Sequence, residues 1–329
     1  MYRYDTFHDE LMLELINNVH DGSVHQAYIF EGPEGINILE SAKLFAAALT
    51  CRNKSIAPCG SCPVCSLSYS GTNPDISFIN TGDKKSIGVE VIRELSTDVY
   101  IRPFESENKV YIIEDGAALT NEAQNAMLKI LEEPPEYAIF IIIVPSSALL
   151  LPTVVSRCSC VRFTPLDEEK MRGYITKKYP DTTENMDFLV RFSQGIPKRA
   201  DDIINDPDFE PLRQEAFKMI VPLLSKHKIS AYTVTEFLEN NKDRAELIFD
   251  LWQSFLRDIM LVQNDAPSFI VNADLNDKLS NLASRLPDIC CIIALEQLVK
   301  AKIMLKRYVN LHILGLNLSF SIKKSIYSR

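Results

Sequence analysis

The sequence predicts an α/β fold on a parallel sheet, followed by a chain that is helical almost to its end. Three observations carry this. The run Gln26-Ala27-Tyr28-Ile29-Phe30 reads as a buried strand. It enters a turn, Gly32-Pro33-Glu34-Gly35, and leaves it in a helix from Glu40 to Leu49 with Ala and Leu at helical spacing. Strand, glycine turn and helix is the setting of a phosphate-binding loop. The second observation is Ala138 to Val144 (AIFIIIV), a continuous apolar run of the kind buried on both faces of a parallel sheet. The third is a change of composition after Pro165. From about residue 206 onward the pattern is helical, over 209–225, 243–263, 272–286 and from 288 toward 325.

Composition narrows the function classes. At 329 residues the chain has room for two or three domains, each with a core. A hydrophobic share of 46% and a charged share of 24% are ordinary globular values. The net charge of −9 argues against a surface that coats nucleic acid, so any DNA contact has to be local, through clustered Lys and Arg. No apolar run approaches the roughly 18 residues that span a bilayer. The N-terminal MYRYDTFHDELM has acidic residues and no apolar core, so it is not a secretory signal. A soluble, cytoplasmic protein with no membrane partner is the expectation.

Taken in order, residues 8–22 form an amphipathic helix with Leu11, Leu15 and Val19 on one face. The turn that follows the first strand departs from the G-x-x-x-x-G-K-[ST] template. Gly32 is in place, but Asn37 stands at the second glycine, Ile38 at the lysine and Leu39 at the hydroxyl that holds Mg²⁺. Apolar side chains supply neither charge nor ligand, so ATP hydrolysis is not expected. Gly35 and the helix N-terminus still offer backbone N–H groups to an anion. An ordinary strand-turn-helix with a Gly-Pro turn is the alternative.

Cys51, Cys59, Cys62 and Cys65 follow in the arrangement C-x7-C-x2-C-x2-C, with Pro58, Gly60 and Pro63 letting the chain fold back. Four thiolates suit a closed tetrahedral structural zinc site, and no His or carboxylate interrupts the set to suggest a catalytic one. Reduced thiols, a redox Cys-x-x-Cys pair and an iron–sulfur cluster are the alternatives.

Asn73-Pro74-Asp75 is a turn before the short strand 76–79, and 87–100 reads as a helix. Lys109 opens the strand KVYIIEDGA, which ends in Glu114-Asp115. Carboxylates at such a strand end hold Mg²⁺ and position water in Walker B sites, although the usual order is Asp then Glu. A solvated strand end is the plainer explanation. Thr120 or Asn121 can cap the next helix, which Pro134 and Pro135 stop. Ser156-Arg157-Cys158 lies in LLLPTVVSRCSCVRF, where an isolated Arg is usually a surface charge. Further on, Trp252, Phe255 and Leu256, and Leu295, Leu298, Ile303 and Leu305, read as core. Cys290 and Cys291 read as buried thiols.

Taken together these elements resemble the clamp-loader branch of the AAA+ proteins. The resemblance covers about the first 165 residues and rests on a sequence of pieces. They are His25-x-Ala-Tyr-Ile-Phe-x-Gly-Pro, the cysteine module, Asn-Pro-Asp, VYIIEDGAALTNEAQNAMLKILEEPP and LPTVVSRC. It implies a AAA+ P-loop-type domain over 1–165, a small helical lid over 166–205 and an all-α collar domain over 206–329. The match is to the delta-prime kind of bacterial DNA polymerase III subunit. In that family it joins delta and the ATP-hydrolysing gamma/tau subunits in a pentameric ring that loads the sliding clamp onto primed DNA. The resemblance makes Arg157 a trans-acting arginine finger. It implies a non-hydrolysing subunit, and a working gamma/tau-type ATPase is the alternative. Loss of the P-loop lysine favours the first, as does the lack of a long tau-like C-terminal extension. Glu114-Asp115 depart from the family order, and Lys198 stands where many relatives carry a sensor Arg.

Overall fold

The computed structural model describes residues 9–182, 185–225, 227, 229–305, 307 and 309–327. The expected helix start at His8 lies outside them. The described chain divides into two compact units. One runs to Tyr174 and takes in Gln194–Arg199, and the other comprises Ile175–Ser193 and the chain from Ala200 onward.

In the first unit the elements are α1 (Asp9–His20), β1 (Ala27–Glu31), α2 (Ile38–Thr50), α3 (Pro63–Ser70), β2 (Ile76–Ile79), α4 (Val89–Asp98), β3 (Lys109–Ile113), α5 (Asn121–Glu132), β4 (Ala138–Val144), α6 (Pro152–Val155) and β5 (Ser159–Arg162). All strand pairs are parallel, in the order β2-β3-β4-β1-β5. Alternation along the strands explains why the runs are so apolar. Tyr28, Phe30, Val110, Ile112, Ile139 and Ile141 join Met12, Phe45 and Ala46 in one core layer. Ile29, Tyr111, Ile113, Phe140 and Ile142 join Ile92, Leu95, Met127 and Ile130 in the other. Burying both faces requires apolar residues at every position of a central strand. Ala138–Val144, expected from that run, is the β4 that forms. β5 has no such run, because it is an edge strand with only Val161 buried, and nothing in the sequence announced it.

α7 (Glu168–Lys178) and α9 (Pro197–Ile204) cross the boundary between the units, and α8 (Met186–Phe192) lies in the second. The second unit continues with α10 (Phe209–Lys218), α11 (Ile220–Leu224), α12 (Ile229–Asn240), α13 (Ala245–Gln263), α14 (Asn276–Ala283), α15 (Asp288–Leu305) and α16 (Leu311–Tyr327). Trp252, Phe255 and Leu256 are fully buried, as are Cys290 and Cys291. The second unit also holds a polar knot. The buried Arg213 guanidinium forks onto both carboxylate oxygens of Asp274 at 2.9 and 2.7 Å and lies 4.0 Å over the Phe188 ring. Asp258, also buried, accepts the amides of Val271 and Asn272 at 2.9 and 2.7 Å.

Two expectations need correction. The pattern from 288 is two helices, since α15 ends at Leu305 and α16 begins at Leu311. Ile303 is not core, being 51% exposed, and Leu295 and Leu305 are only half-buried. α15 is apolar nearly all round, so composition could not tell its inner face from its outer one.

Candidate functional site

The turn after β1 sits at the carboxyl ends of the strands, where open α/β sheets bind their ligands. β1 is tied there on both sides, because Gly32 N donates to Val144 O at 3.1 Å and Phe163 N donates to Glu31 O at 2.7 Å. Asn37, at the template's second glycine, takes the left-handed conformation (φ 60°), which asparagine tolerates better than most residues. α2 starts at Ile38, two residues before the expected Glu40, so Ile38 and Leu39 occupy its first helical positions.

The Ile38 side chain turns inward. A Cβ placed on Gly32 would lie 2.6 Å from Phe163 O, 2.9 Å from Ile36 Cδ1 and 3.0 Å from Ile38 Cδ1. Ile36 and Ile38 are 1% and 6% exposed, so aliphatic carbon packs against the glycine of this turn. Its outer side is covered by the segment that returns to this unit. Lys198 N donates to Gly35 O at 3.1 Å, and a Cβ on Gly35 would stand 2.8 Å from Ile196 Cγ2 and 2.9 Å from Lys198 Cβ. Gly35 has φ +90°, so only glycine meets both demands. The Lys198 side chain itself is exposed.

Glu114 and Asp115 follow β3 directly. Glu114 is half-buried and accepts from Asn80 Nδ2 at 3.3 Å, whereas Asp115 is exposed. Arg157 follows the short α6. Its Nη1 donates to Thr153 O at 2.8 Å and to Ser156 Oγ at 3.3 Å, and its Nη2 meets Glu132 Oε1 at 2.5 Å. The segment that carries it is fixed from α5. Buried Gln124 accepts Leu151 N at 2.7 Å through Oε1 and donates to Leu119 O at 3.2 Å.

The cysteines do come together. The Sγ atoms of Cys51, Cys59, Cys62 and Cys65 all lie within 4.8 Å of one another. A tetrahedral Zn²⁺ with Zn–S near 2.3 Å sets its sulfurs about 3.8 Å apart, so a small contraction closes the site. Backbone amides already point at sulfur: Cys59 N at Cys51, Cys62 N at Cys59 and Cys65 N at Cys62, each at 3.4 Å. Hydrogen bonds from the Ser61 backbone and hydroxyl hold the Cys59 thiol down at about 6, while burial pushes Cys51 and Cys65 upward. The donor set is sulfur alone, enough to hold a metal ion and compatible with structural zinc. Other site residues remain in separate local networks: the Gly32–Ile38 turn against Ile196 and Lys198, Glu114 with Asn80, and Arg157 with Glu132. Sequence reasoning missed Ile36, Ile196, Gln124 and Glu132. Only Glu132 had a signal, its place in the Leu-Glu-Glu-Pro-Pro run.

A parallel sheet in the order above, with a glycine turn after β1 and a helical second unit, is an α/β fold of the AAA+ P-loop type. Family models agree: "DNA polymerase III, delta subunit" matches residues 7–167 and "DNA polymerase III, delta subunit, C terminal" matches residues 208–319. The chain belongs to the delta-prime-like clamp-loader subunits of DNA polymerase III. It is 26% identical over 269 residues to the delta-prime subunit of Bacillus subtilis, covering 80% of each chain. It is 33% identical over 199 residues to the tau/gamma subunit of Haemophilus influenzae, covering 60% of this chain but only 28% of that protein. Among solved structures, a gamma subunit-related protein of Thermotoga maritima aligns over 95% of this chain and 99% of its own, with a TM-score of 0.44 and 17% identity. Among the described residues, no helix is long and apolar enough to cross a membrane.

Proposed function

We propose that this chain is a non-hydrolysing clamp-loader subunit that acts on its neighbour's ATP rather than on its own. The observation that carries the reading is the filled turn. Ile38 replaces a phosphate-binding ammonium with a buried alkyl group, and Leu39 offers Mg²⁺ no oxygen. Glu114 and Asp115 then have no metal-bound phosphate to act on. In this reading the chain joins delta and gamma/tau subunits in a five-membered ring that loads the sliding clamp onto primed DNA. The AAA+ domain spans 1–165, the lid 166–205 and the collar 206–329. Arg157 reaches the neighbouring ATP as an arginine finger, a role suited to a permanently charged, planar fork of donors. Fingers supplied in trans accelerate phosphoryl transfer by about 10³ to 10⁵ in the best-studied GTPases, an upper guide for this case. Cys51, Cys59, Cys62 and Cys65 hold one structural zinc. Identity to tau/gamma proteins favours the second reading, an ATPase of that type.

The test has two arms. In the first, the isolated chain is assayed for ATP turnover; sustained hydrolysis abolished by Glu114→Gln reverses the reading. In the second, Arg157→Ala is assembled into the ring and assayed with clamp and primed DNA. Slowed ATPase and loading support the finger, and parental rates in both remove it.

A further inference from the structure

We infer that Glu132 is a positioning residue for Arg157, mounting the guanidinium so that its remaining donors form a free fork. The inference rests on the arginine-finger reading above and names the group that aims the finger. A guanidinium has five N–H donors. Nη1 donates to Thr153 O and Ser156 Oγ, and Nη2 donates to Glu132 Oε1. Nε–H and the second Nη2 hydrogen are left, and no described residue accepts them. Two donors on one planar group suit two oxygens of a phosphate.

The place of Glu132 argues for this use. It is the last residue of α5, and Glu133 follows it. Carboxylates at a helix C-terminus face the negative end of the macrodipole, so in isolation this is an unfavourable position for them. Lys129 in the last turn is one compensating cation, and Arg157, paired directly with Glu132, is the other. The same helix fixes the Arg157 turn at its other end through Gln124, which accepts Leu151 N. α5 therefore holds both the backbone that carries Arg157 and the guanidinium itself. The ion pair is half in water, with the Glu132 and Arg157 side chains 51% and 33% exposed. A pair of this kind is weak enough to let the guanidinium adjust as it meets a phosphate.

The test uses rings assembled from the full-length chain with delta and gamma/tau subunits, each variant first shown to assemble. Steady-state ATPase is measured with clamp and primed DNA present, and kcat and KM for ATP are separated. Glu132→Ala is expected to lower the kcat of the served site about fivefold, the upper worth of an exposed ion pair, with KM unchanged. Glu132→Gln keeps an acceptor oxygen and recovers part of that loss. In the Arg157→Ala background, Glu132→Ala adds nothing further, whereas a merely structural Glu132 adds its own defect. A parental kcat for Glu132→Ala beside a lowered one for Arg157→Ala overturns the inference and leaves the finger standing. A raised kcat for Glu132→Ala overturns it too, since Glu132 is then a restraint. If Arg157→Ala is itself parental, the finger reading fails and this inference fails with it.

Discussion

Replacing Ile38 by lysine restores the ammonium that a phosphate loop requires, yet it is expected to weaken the fold without creating an ATP site. Ile38 is 6% exposed, and its Cδ1 stands 3.0 Å from where a Gly32 Cβ would lie. Full burial of an isoleucine is worth about 1.5–3 kcal/mol, and a lysine at this place keeps only part of that by bending its charge toward water. Taking about 2 kcal/mol as lost, and about 2–4 °C per kcal/mol for a unit of this size, the melting temperature falls by about 4–8 °C. The phosphate position is still crowded, because Ile36 and the Ile196–Lys198 segment have not moved. Thermal melting with and without millimolar Mg-ATP reads both effects at once. A ligand at a hundred times its Kd adds about 2.7 kcal/mol, which no destabilised variant could hide. An Ile38→Lys protein that melts at the parental temperature and gains several degrees from ATP refutes the reasoning.

Four further outcomes are expected. Purified protein carries one zinc per chain by metal analysis. After chelation, with alkylation followed across a pH series, Cys59 is alkylated first, its rate rising through pH about 6 as the thiolate forms, while Cys51 and Cys65 need alkaline conditions; mass spectrometry of the four sites checks this order. Arg213→Ala leaves the buried Asn272 amide oxygen without its donor, while Asp274 and Glu210 are exposed enough to be rehydrated, so the second unit loses about 1–3 kcal/mol, read by urea unfolding followed at Trp252. Gln124→Leu leaves Leu151 N and Leu119 O without their partner, costs about 1–3 kcal/mol, and shows as faster amide exchange at Leu151.

Much of the fold could be read from the sequence, because burial on both sheet faces writes itself as unbroken apolar runs. β1, β3 and β4 are of that kind, and β4 matches its run residue for residue. The cysteine cluster was legible too, since ligand spacing survives in one dimension. Other features depend on contacts between distant residues. That Ile38 packs inward requires knowing where Phe163 lies, and the cover over Gly35 comes from Ile196 and Lys198. Glu132 and Arg157 are separated by the whole of β4, so neither residue alone suggested the pair. Ile303 failed for the opposite reason: α15 is apolar on most sides, and a helix of that composition hides which face is inside.

The return of Gln194–Arg199 to the first unit has a consequence for the order in which the protein is made. The chain leaves that unit after Tyr174, contributes Ile175–Ser193 to the other, and comes back before leaving again at Ala200. On the ribosome, therefore, the sheet and its helices emerge while the piece that seals them is still unsynthesised. Until residue 198 appears, Gly35 O lacks the amide of Lys198 and the alkyl cover over the turn is missing. The nascent first unit thus passes through a stage with an exposed apolar rim beside Ile36, the state in which chains of this size associate wrongly or recruit chaperones. A fragment cut after Tyr174 would be arrested at that stage, so the first unit should be expressed only with its late-arriving seal attached.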